Sequence, residues 1–388
     1  MNWTKFNSAL KSTATFLVVL FIALEFSSFI LSKTNLLLVH DTPWAYRSKD
    51  NIFLPPLQWR TEESDWGAWH KPSSATRERH SCFDAPYYSN EVGARDDSFE
   101  HPKSKKRAVL IGDSFAEGFG ARREETAQYL MEKLSGVEVF NFGSAGDLGP
   151  VQYSILYQEL AKNYDPDELV IFFLPNNDFT DNDYDYWRKT NKTFKSDGSE
   201  RWRPYYKKTK DGYESFIPEG ATKTIEARNP NFGNRYLWAH NVYKTIKFIL
   251  AQKREQKVQE ALMAQGHIDI STYKGGYSGY FDATQEEQKA AVFYINKLIK
   301  ESRANKIILV AIPTLGDLGR IAAGSNPKDM LWYQEFQAAG SKAGKPVKFI
   351  DLANFAPADP TKLFWTCDGH WSVYGNKWAA EIIGPYLQ

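Results

Sequence analysis

Short apolar runs alternate with longer segments of mixed polarity from Ala108 to the end of the chain. Such runs are typical of buried strands, and the segments between them are long enough to form helices. The predicted strands span residues 108–112, 137–143, 168–174, 306–312 and 347–352. The predicted helices span residues 124–134, 150–163, 284–304, 330–339 and 373–387. This alternation predicts an α/β fold in which helices cover both faces of a parallel sheet.

An insertion at about residues 183–283 interrupts this rhythm. Its first half has ten aromatic residues between Tyr184 and Phe232, interleaved with lysine and arginine. Asp211-Gly212 predicts a hairpin turn, and residues 234–264 predict a long helix. Two interpretations stay open: a decorated surface insertion, or a cap beside the strand ends that shapes a substrate groove.

The chain before the α/β pattern divides into two parts. Residues 36–106 have no sustained periodicity, which predicts an irregular segment that wraps the domain surface. Ser12–Leu31 is a mostly apolar span of 20 residues, about the length that crosses a bilayer core. We therefore predict an anchor at residues 1–35, a wrapping segment at residues 36–106 and one domain at residues 107–388.

Charges around the apolar span predict its orientation. Lys5 and Lys11 precede the span and favour a cytoplasmic N-terminus, whereas Lys33 follows it and weakens that bias. Glu25 inside the span is costly at depth and calls for a partner or a polar role. A buried core helix and a cleaved signal peptide are the alternatives, but no small-residue cleavage pattern follows. We expect a single-pass anchor with the rest of the chain outside the cytoplasm, in the periplasm or at the cell surface.

Composition narrows the function classes. Lysine plus arginine (48) and aspartate plus glutamate (47) nearly cancel, so no basic field favours nucleic acid. Aromatic residues make up 15% of the chain, which indicates either a large aromatic core or exposed platforms for sugar rings. Cys82 and Cys367 are either one disulfide, in an oxidising compartment, or two unrelated thiols. An extracytoplasmic domain favours the disulfide.

Cofactors and metals are not expected. The two cysteines lack the spacing of a metal site, and no glycine-rich phosphate loop is visible. Six histidines show no ligand spacing: His40, His70, His80, His101, His240 and His267.

Four polar clusters follow predicted strands, where the ligands of an open α/β sheet bind. They are Gly112-Asp113-Ser114, residues 141–147, residues 175–178 and residues 367–371. Acyl transfer needs a nucleophile, a base, a group that orients the base and donors for the oxyanion. Each cluster alone is ordinary turn or cap chemistry, with Ser372 as a candidate helix cap, but their order along the chain favours one catalytic site.

These clusters resemble the four signature blocks of the SGNH (GDSL-like) hydrolase superfamily, over about residues 108–388. The resemblance implies a flavodoxin-like three-layer α/β/α sandwich. It also implies that Ser114 is the nucleophile, His370 the base and Asp368 the residue that orients it. The implied oxyanion donors are the backbone N–H groups of Ser114 and Gly146 and the side-chain amide of Asn177.

The chain departs from the usual blocks of the family at two points. Pro175 stands where the family has glycine, with Asn176 beside Asn177, and only Gly369 separates acid from base. That short spacing is similar to membrane-associated members that act on O-acetylated polysaccharides, including alginate O-acetyltransferases.

The function expected from these features is a membrane-anchored serine esterase. It would act on acyl esters, O-acetyl groups in the first place, of a small molecule or an extracytoplasmic polysaccharide. A polysaccharide O-acetyltransferase with the same triad is the alternative. A non-catalytic glycan-binding envelope protein, with other envelope proteins as partners, is a third interpretation that the intact site residues disfavour.

Overall fold

The computed structural model describes residues 3–34, 36–37, 53–54, 59–80, 82–100, 102–190, 200–223, 232–263 and 277–387. His40, His101, His267 and parts of the predicted insertion lie outside the described residues. The described strands are β1 Phe53–Leu54, β2 Arg60–Ser64, β3 Gly67–His70, β4 Ala75–Arg79, β5 Asp84–Tyr88, β6 Arg107–Gly112, β7 Glu138–Gly143, β8 Glu168–Phe173, β9 Glu200–Arg201, β10 Tyr205–Thr209, β11 Gly212–Phe216, β12 Ala221–Thr222, β13 Lys306–Ala311 and β14 Val347–Asp351. The described helices are α1 Trp3–Lys33, α2 Ser114–Glu117, α3 Ala127–Ser135, α4 Pro150–Glu159, α5 Pro175–Asp178, α6 Tyr184–Lys189, α7 Phe232–Tyr236, α8 Trp238–Met263, α9 Gly279–Asp282, α10 Gln285–Glu301, α11 Leu315–Ala322, α12 Leu331–Gln337, α13 Ala339–Ala343 and α14 Val373–Ile383.

The central sheet has five parallel strands in the order β14-β13-β8-β6-β7. Every residue of β6 and β8 is buried, as expected for strands covered on both faces. Read from β7, the chain order is 2-1-3-4-5, the flavodoxin-like arrangement. Its switch point lies between β6 and β8, so their carboxyl ends border the crevice where ligands bind. The predicted parallel α/β sandwich is confirmed.

Two apolar layers hold helices against the sheet. On one face, Tyr153 of α4, Ile295 of α10 and Phe336 of α12 belong to one buried cluster. On the other face, Met131 of α3 and Trp378 of α14 belong to a second. The five predicted strands lie within one residue of their observed bounds, whereas helix ends shift by more.

Capping residues explain where the helices begin. Thr284 accepts a hydrogen bond from the backbone N–H of Glu287 at the start of α10, and the Glu287 carboxylate accepts from Thr284 N in return. Thr126 caps α3, which therefore begins after the predicted residue 124. Ser372 accepts from Gly375 N and caps α14, as expected for a helix-entry serine.

The expectation of an irregular segment at residues 36–106 is wrong for its described part. Strands β2 and β3 form one hairpin, and β1, β4 and β5 form a small sheet. These strands escaped notice because they have at most five residues each, and β2 and β3 pair with a register shift between Thr61 and Ser64. Buried Arg95 then donates to three carbonyl oxygens of the loop after α2, those of Glu117, Gly118 and Ala121. The segment is thus tied to the α/β sandwich, although its division into a separate unit stays a prediction.

The insertion contains the expected hairpin, formed by β10 and β11. The predicted turn at Asp211-Gly212 is wrong by one residue, because Gly212 pairs with Thr209 and leaves Lys210 and Asp211 at the turn. Gly212 therefore lies beside the turn rather than inside it. Its φ of +130° is a conformation that glycine adopts without a Cβ penalty.

Two aromatic side chains in the first half of the insertion belong to a core rather than to an exposed platform. Trp187 is 1% exposed and Tyr205 is fully buried. The guanidinium of Arg203, also buried, lies 3.9 Å from the Trp187 ring centroid. These contacts favour the structural interpretation of the aromatic content.

Helix α1 contains one apolar stretch, Leu10–Lys33, long and apolar enough to cross a membrane. Only 6% of this stretch is buried, which argues against a core helix. A signal sequence can have the same length and apolar composition. Orientation and placement outside the cytoplasm stay predictions.

A disulfide joins Cys82 and Cys367, whose Cα atoms lie 5.8 Å apart. It connects the N-terminal segment to the loop before α14 across 285 residues of sequence. The bridge closes a long loop in the unfolded chain and so lowers the conformational entropy of the unfolded state. The folded state is thereby stabilised relative to the unfolded one.

We expect the Cys82→Ser/Cys367→Ser double variant to lose about 2–4 kcal/mol of unfolding free energy. Denaturant unfolding of the full chain in detergent measures the loss, with reductant on the wild type as the matched comparison. An unchanged midpoint in both would contradict a structural bridge.

Candidate active site

Ser114 stands at the junction between β6 and α2. Gly112 ends β6 where an added Cβ would lie 2.8 Å from the Cβ atoms of both Ala116 and Phe172. Asp113 caps the helix by accepting from Phe115 N at 2.9 Å. Ser114 is therefore the first residue of a helical turn, and its backbone N–H is one that no helical carbonyl accepts.

The structure brings Ser114, His370 and Asp368 together. His370 Nε2 lies 2.7 Å from Ser114 Oγ, and His370 Nδ1 hydrogen-bonds Asp368 Oδ1. With Nδ1 protonated, the ring donates to the carboxylate and accepts from the serine hydroxyl. Only Gly369 separates the two residues, and its φ of +83° is a left-handed conformation that glycine adopts without a Cβ penalty. The departure in spacing therefore still allows contact between acid and base.

Electrostatics keep Asp368 ionised. Burial alone would raise its pKa, but the hydrogen bond from His370 and the neighbouring positive charge hold the pKa below its usual value. Asp113 differs, since burial raises its pKa to about 6 despite the N–H of Phe115. The two carboxyl groups near Ser114 thus lie in different environments.

The predicted oxyanion residues line the same cleft as the triad. This cleft has a volume of about 540 Å³ and includes Ser114, Gly146, Asn177 and His370 among its walls. Gly146 has φ +126°, and an added Cβ would lie 2.7 Å from Ala68 Cβ, so both conformation and space require glycine.

The amide of Asn177 contacts carboxylates in this structure. Its Nδ2 donates to Asp113 Oδ2 at 3.2 Å and to Asp181 Oδ2 at 2.9 Å. Buried Asp178 accepts from Leu174 N and from the Tyr153 hydroxyl, which fixes the turn that carries Asn177. To donate to an oxyanion, the Asn177 amide must therefore give up its hydrogen bond to one of these two carboxylates. The neighbouring Asn176 also lines the cleft.

Glu117 is a residue that sequence reasoning missed. It is fully buried three residues after Ser114 and accepts a hydrogen bond from Ala145 N, the backbone group that precedes Gly146. Its other oxygen pairs with Arg60 at 2.8 Å. Burial alone would raise the pKa of Glu117, but the guanidinium of Arg60 in particular holds it well below its usual range. An ionised carboxylate therefore fixes the Gly146 loop.

Two histidines without ligand spacing also lie near the site. Burial lowers the pKa of His70. Its Nδ1 lies 2.8 Å from Gly93 O and its Nε2 lies 3.3 Å from the Glu117 carboxylate, and a neutral ring, which carries one N–H, donates to only one of these two acceptors. His80 Nδ1 lies 3.9 Å from Asp368 Oδ2, opposite the oxygen that binds His370. In the sequence, only its position three residues after Ser114 distinguishes Glu117. No local pattern distinguishes His80, which lies two residues before the disulfide-bonded Cys82.

The loop of Gly146 is held from the insertion as well. Arg203 donates to Asp147 O and to Asp181 O. Asp147 itself has φ +62°, an uncommon conformation for a residue with a Cβ. The loop therefore lies between Glu117 on one side and Arg203 on the other.

Among the residues that the structure describes, no group of three or more histidine, cysteine or acidic side chains has the arrangement of a metal site. The absence of a cofactor stays a prediction.

Comparisons with known proteins agree with the fold. The family model of GDSL-like lipases and acylhydrolases matches residues 109–383. A lipolytic protein of the G-D-S-L family from Desulfitobacterium hafniense is 12% identical over 73% of this chain and 99% of its own, with a TM-score of 0.32. A lipase/acylhydrolase from Enterococcus faecalis is 14% identical over 73% and 97%, with a TM-score of 0.33.

A third solved structure is a carbohydrate esterase family 2 enzyme with a carbohydrate-binding domain from Corynascus thermopiles (Myceliophthora fergusii). It is 13% identical over 74% of this chain and 67% of its own, with a TM-score of 0.36. No curated protein matches the chain. At these identities and scores the structural likenesses carry no argument about substrate.

Replacing Glu117 tests whether its charge fixes the loop. We expect Glu117→Gln to lower kcat about 10- to 100-fold with little change in KM, because small displacements of a donor are costly. Esterase kinetics well below the unfolding temperature measure it. Exposed Glu124→Gln is the matched control, and equal activity of the two variants would contradict the role.

Gly369→Ala tests the left-handed link between acid and base. No atom lies within 4 Å of the added Cβ, so strain rather than collision sets the outcome. We expect a stability loss of about 1–2 kcal/mol and a large drop in kcat. Gly344→Ala, with φ +65° and equal space, should lose similar stability and keep its activity. If both variants retained full kcat, the spacing would not depend on this conformation.

Proposed function

Because the chain belongs to the GDSL-like lipase/acylhydrolase family, whose members hydrolyse ester bonds, we propose that Ser114, His370 and Asp368 are its catalytic triad. The observation that carries this assignment is the 2.7 Å contact between His370 Nε2 and Ser114 Oγ, with Asp368 behind the ring. Ser114 lies 256 residues from His370 in sequence, and the contact among the three residues has the geometry that acyl transfer requires.

The proposed reaction has two halves. Ser114 Oγ attacks the ester carbonyl carbon while His370 Nε2 takes the hydroxyl proton, and His370 then gives that proton to the departing alcohol. Water repeats the sequence on the acyl-serine and releases the carboxylic acid. Asp368 holds the ring and stabilises its protonated form during both transfers. The N–H groups of Ser114 and Gly146 are the backbone donors to the oxyanion.

Asn177 is the third oxyanion donor in this proposal. One of its two N–H groups would turn from a carboxylate to the negative oxygen that develops on the substrate. The raised pKa of Asp113, about 6 because of burial, makes that carboxylate the weaker competitor for the amide as pH falls toward this value.

The substrate we propose is an O-acetyl ester on an extracytoplasmic carbohydrate. The apolar walls of the cleft near Ser114, which include Phe115, Phe119 and Leu315, suit a short acyl group. The volume of about 540 Å³ is that of a small-molecule site. The aromatic insertion gives little support to a carbohydrate substrate, because Trp187 and Tyr205 are buried and cannot stack on a sugar ring.

Placement outside the cytoplasm has two supports. The Cys82–Cys367 disulfide is typical of an oxidising compartment, and the apolar stretch Leu10–Lys33 supplies a candidate anchor. Transfer of the acyl group to a sugar hydroxyl would use the same residues, so acceptor and water compete for one acyl-serine.

The test is hydrolysis of p-nitrophenyl acetate by the full chain in detergent, with and without an oligosaccharide acceptor. We expect Ser114→Ala to lower kcat about 10⁴-fold or more, because the nucleophile is lost. Exposed Ser104→Ala is the matched control and should match the wild type. Nitrophenol release that persists in Ser114→Ala would overturn the assignment, and acetylated oligosaccharide among the products would favour the transferase.

A further inference from the structure

The charge inside the apolar helix α1 has a defined partner. The Glu25 carboxylate accepts hydrogen bonds from the backbone N–H groups of Trp238 at 2.9 Å and Ala239 at 3.2 Å. These are the first residues of α8, whose opening N–H groups have no acceptor within the helix. A carboxylate at a helix N-terminus is also favoured by the helix dipole. Each group thus satisfies the other.

Side chains around Glu25 extend this contact along α1. Ser28 and Ser32 are buried, and small residues at one-turn spacing let a second helix approach closely. The Phe29 and Trp238 rings meet edge to face at 5.3 Å, and Lys33 Nζ lies 5.9 Å from the Trp238 ring centroid. The start of α8 is therefore docked on the last turns of the apolar stretch.

The position of Glu25 sets the depth of this junction. Eight residues separate Glu25 from Lys33, which is about 12 Å along a helix axis. If α1 crosses a bilayer as proposed, the first turn of α8 lies within the outer part of that bilayer. Backbone donors at that depth need a partner from the protein, and Glu25 supplies one.

Exposed residues beside the junction have the composition of a membrane interface. Phe232, Tyr236 and Tyr243 are 71%, 37% and 62% exposed. Exposed Arg235 and Lys244 lie among them in sequence. Aromatic rings at headgroup level and basic side chains near anionic lipid are typical of such interfaces.

We propose that the α7–α8 junction, residues 232–244, is inserted in the outer headgroup region of the membrane and binds anionic lipid. This rests on the proposed anchor, whose apolar surface continues directly into the junction. Arg235 and Lys244 contact lipid phosphates, and the three aromatic side chains lie at the boundary with the acyl chains.

The same helix reaches the catalytic site. Phe248 lies ten residues after Trp238, about 15 Å along α8. Its ring lies 5.8 Å from the ring of His80, which in turn lies beside Asp368. The cleft is therefore held close to the lipid surface, where it would meet acyl esters on membrane-tethered molecules.

Site-directed spin labelling of the full chain tests the depth. Neither cysteine is free, so a single added cysteine can be labelled selectively. Phe232→Cys and Tyr243→Cys probe the junction, Leu17→Cys probes the middle of α1, and Leu134→Cys, 56% exposed on α3, is the aqueous control. The protein is reconstituted in vesicles of phosphatidylcholine and phosphatidylglycerol, and collision with oxygen is compared with collision with a water-soluble nickel chelate.

We expect labels at 232, 243 and 17 to favour oxygen and the label at 134 to favour nickel. Nickel access at 232 and 243 with oxygen access at 17 would overturn the proposal and leave the anchor intact. Nickel access at 17 would overturn the anchor and the proposal together, with no bearing on the triad. Shielding of 232 and 243 from both reagents would indicate a protein neighbour and would overturn the assignment to lipid.

Glu25→Ala isolates the contact itself. This change makes α1 more apolar, so the anchor is retained while the acceptor is lost. We expect the label at 243 to become more accessible to nickel in Glu25→Ala, and Glu25→Gln, which keeps one acceptor oxygen, to reverse part of the shift. An unchanged label in Glu25→Ala would show that the cap does not place the junction.

Discussion

A buried carboxylate, that of Glu117, is the constraint on which the arrangement of the active site depends. Burial without a partner would neutralise it, and Arg60 keeps it charged. The charge then fixes the backbone of Ala145, and with it the neighbouring N–H of Gly146. Because Arg60 lies outside residues 109–383, which match the family, the proposed oxyanion loop depends on a part of the chain that precedes the matching residues.

The N-terminal segment therefore acts as part of the active-site scaffold. Arg95 holds the loop after α2, the Cys82–Cys367 disulfide holds the loop before α14, and His80 lies beside Asp368. Ser114 and His370, the proposed nucleophile and base, lie on two different elements of the sandwich. One segment that contacts both can limit their relative displacement, and a displacement of about 1 Å is costly for catalysis.

The sequence was informative where structure follows from local pattern. Apolar runs predicted the five sheet strands, and their polar ends placed Ser114 and His370 at one edge. Contacts between distant segments left no local trace: Arg60 and Glu117 are 57 residues apart. Strands β2–β5 are too short for an alternation of apolar and polar residues to be recognised. The predicted position of the turn before Gly212 was wrong by one residue. The roles of the site residues stay predictions that rest on motif and geometry.

The insertion changes meaning when its contacts are considered. Composition left open whether the aromatic residues form a core or a surface for sugars, and Arg203 and Trp187 form a packed contact that holds the carbonyl of Asp147. Helix α8, from the same insertion, joins Glu25 in the apolar helix to the surroundings of His80. The part of α8 between Trp238 and Phe248 has a contact at each end, which restricts the distance between the apolar helix and the cleft. In the function that we propose, the insertion therefore acts on substrate choice through position, by limiting which esters reach Ser114, more than through direct recognition.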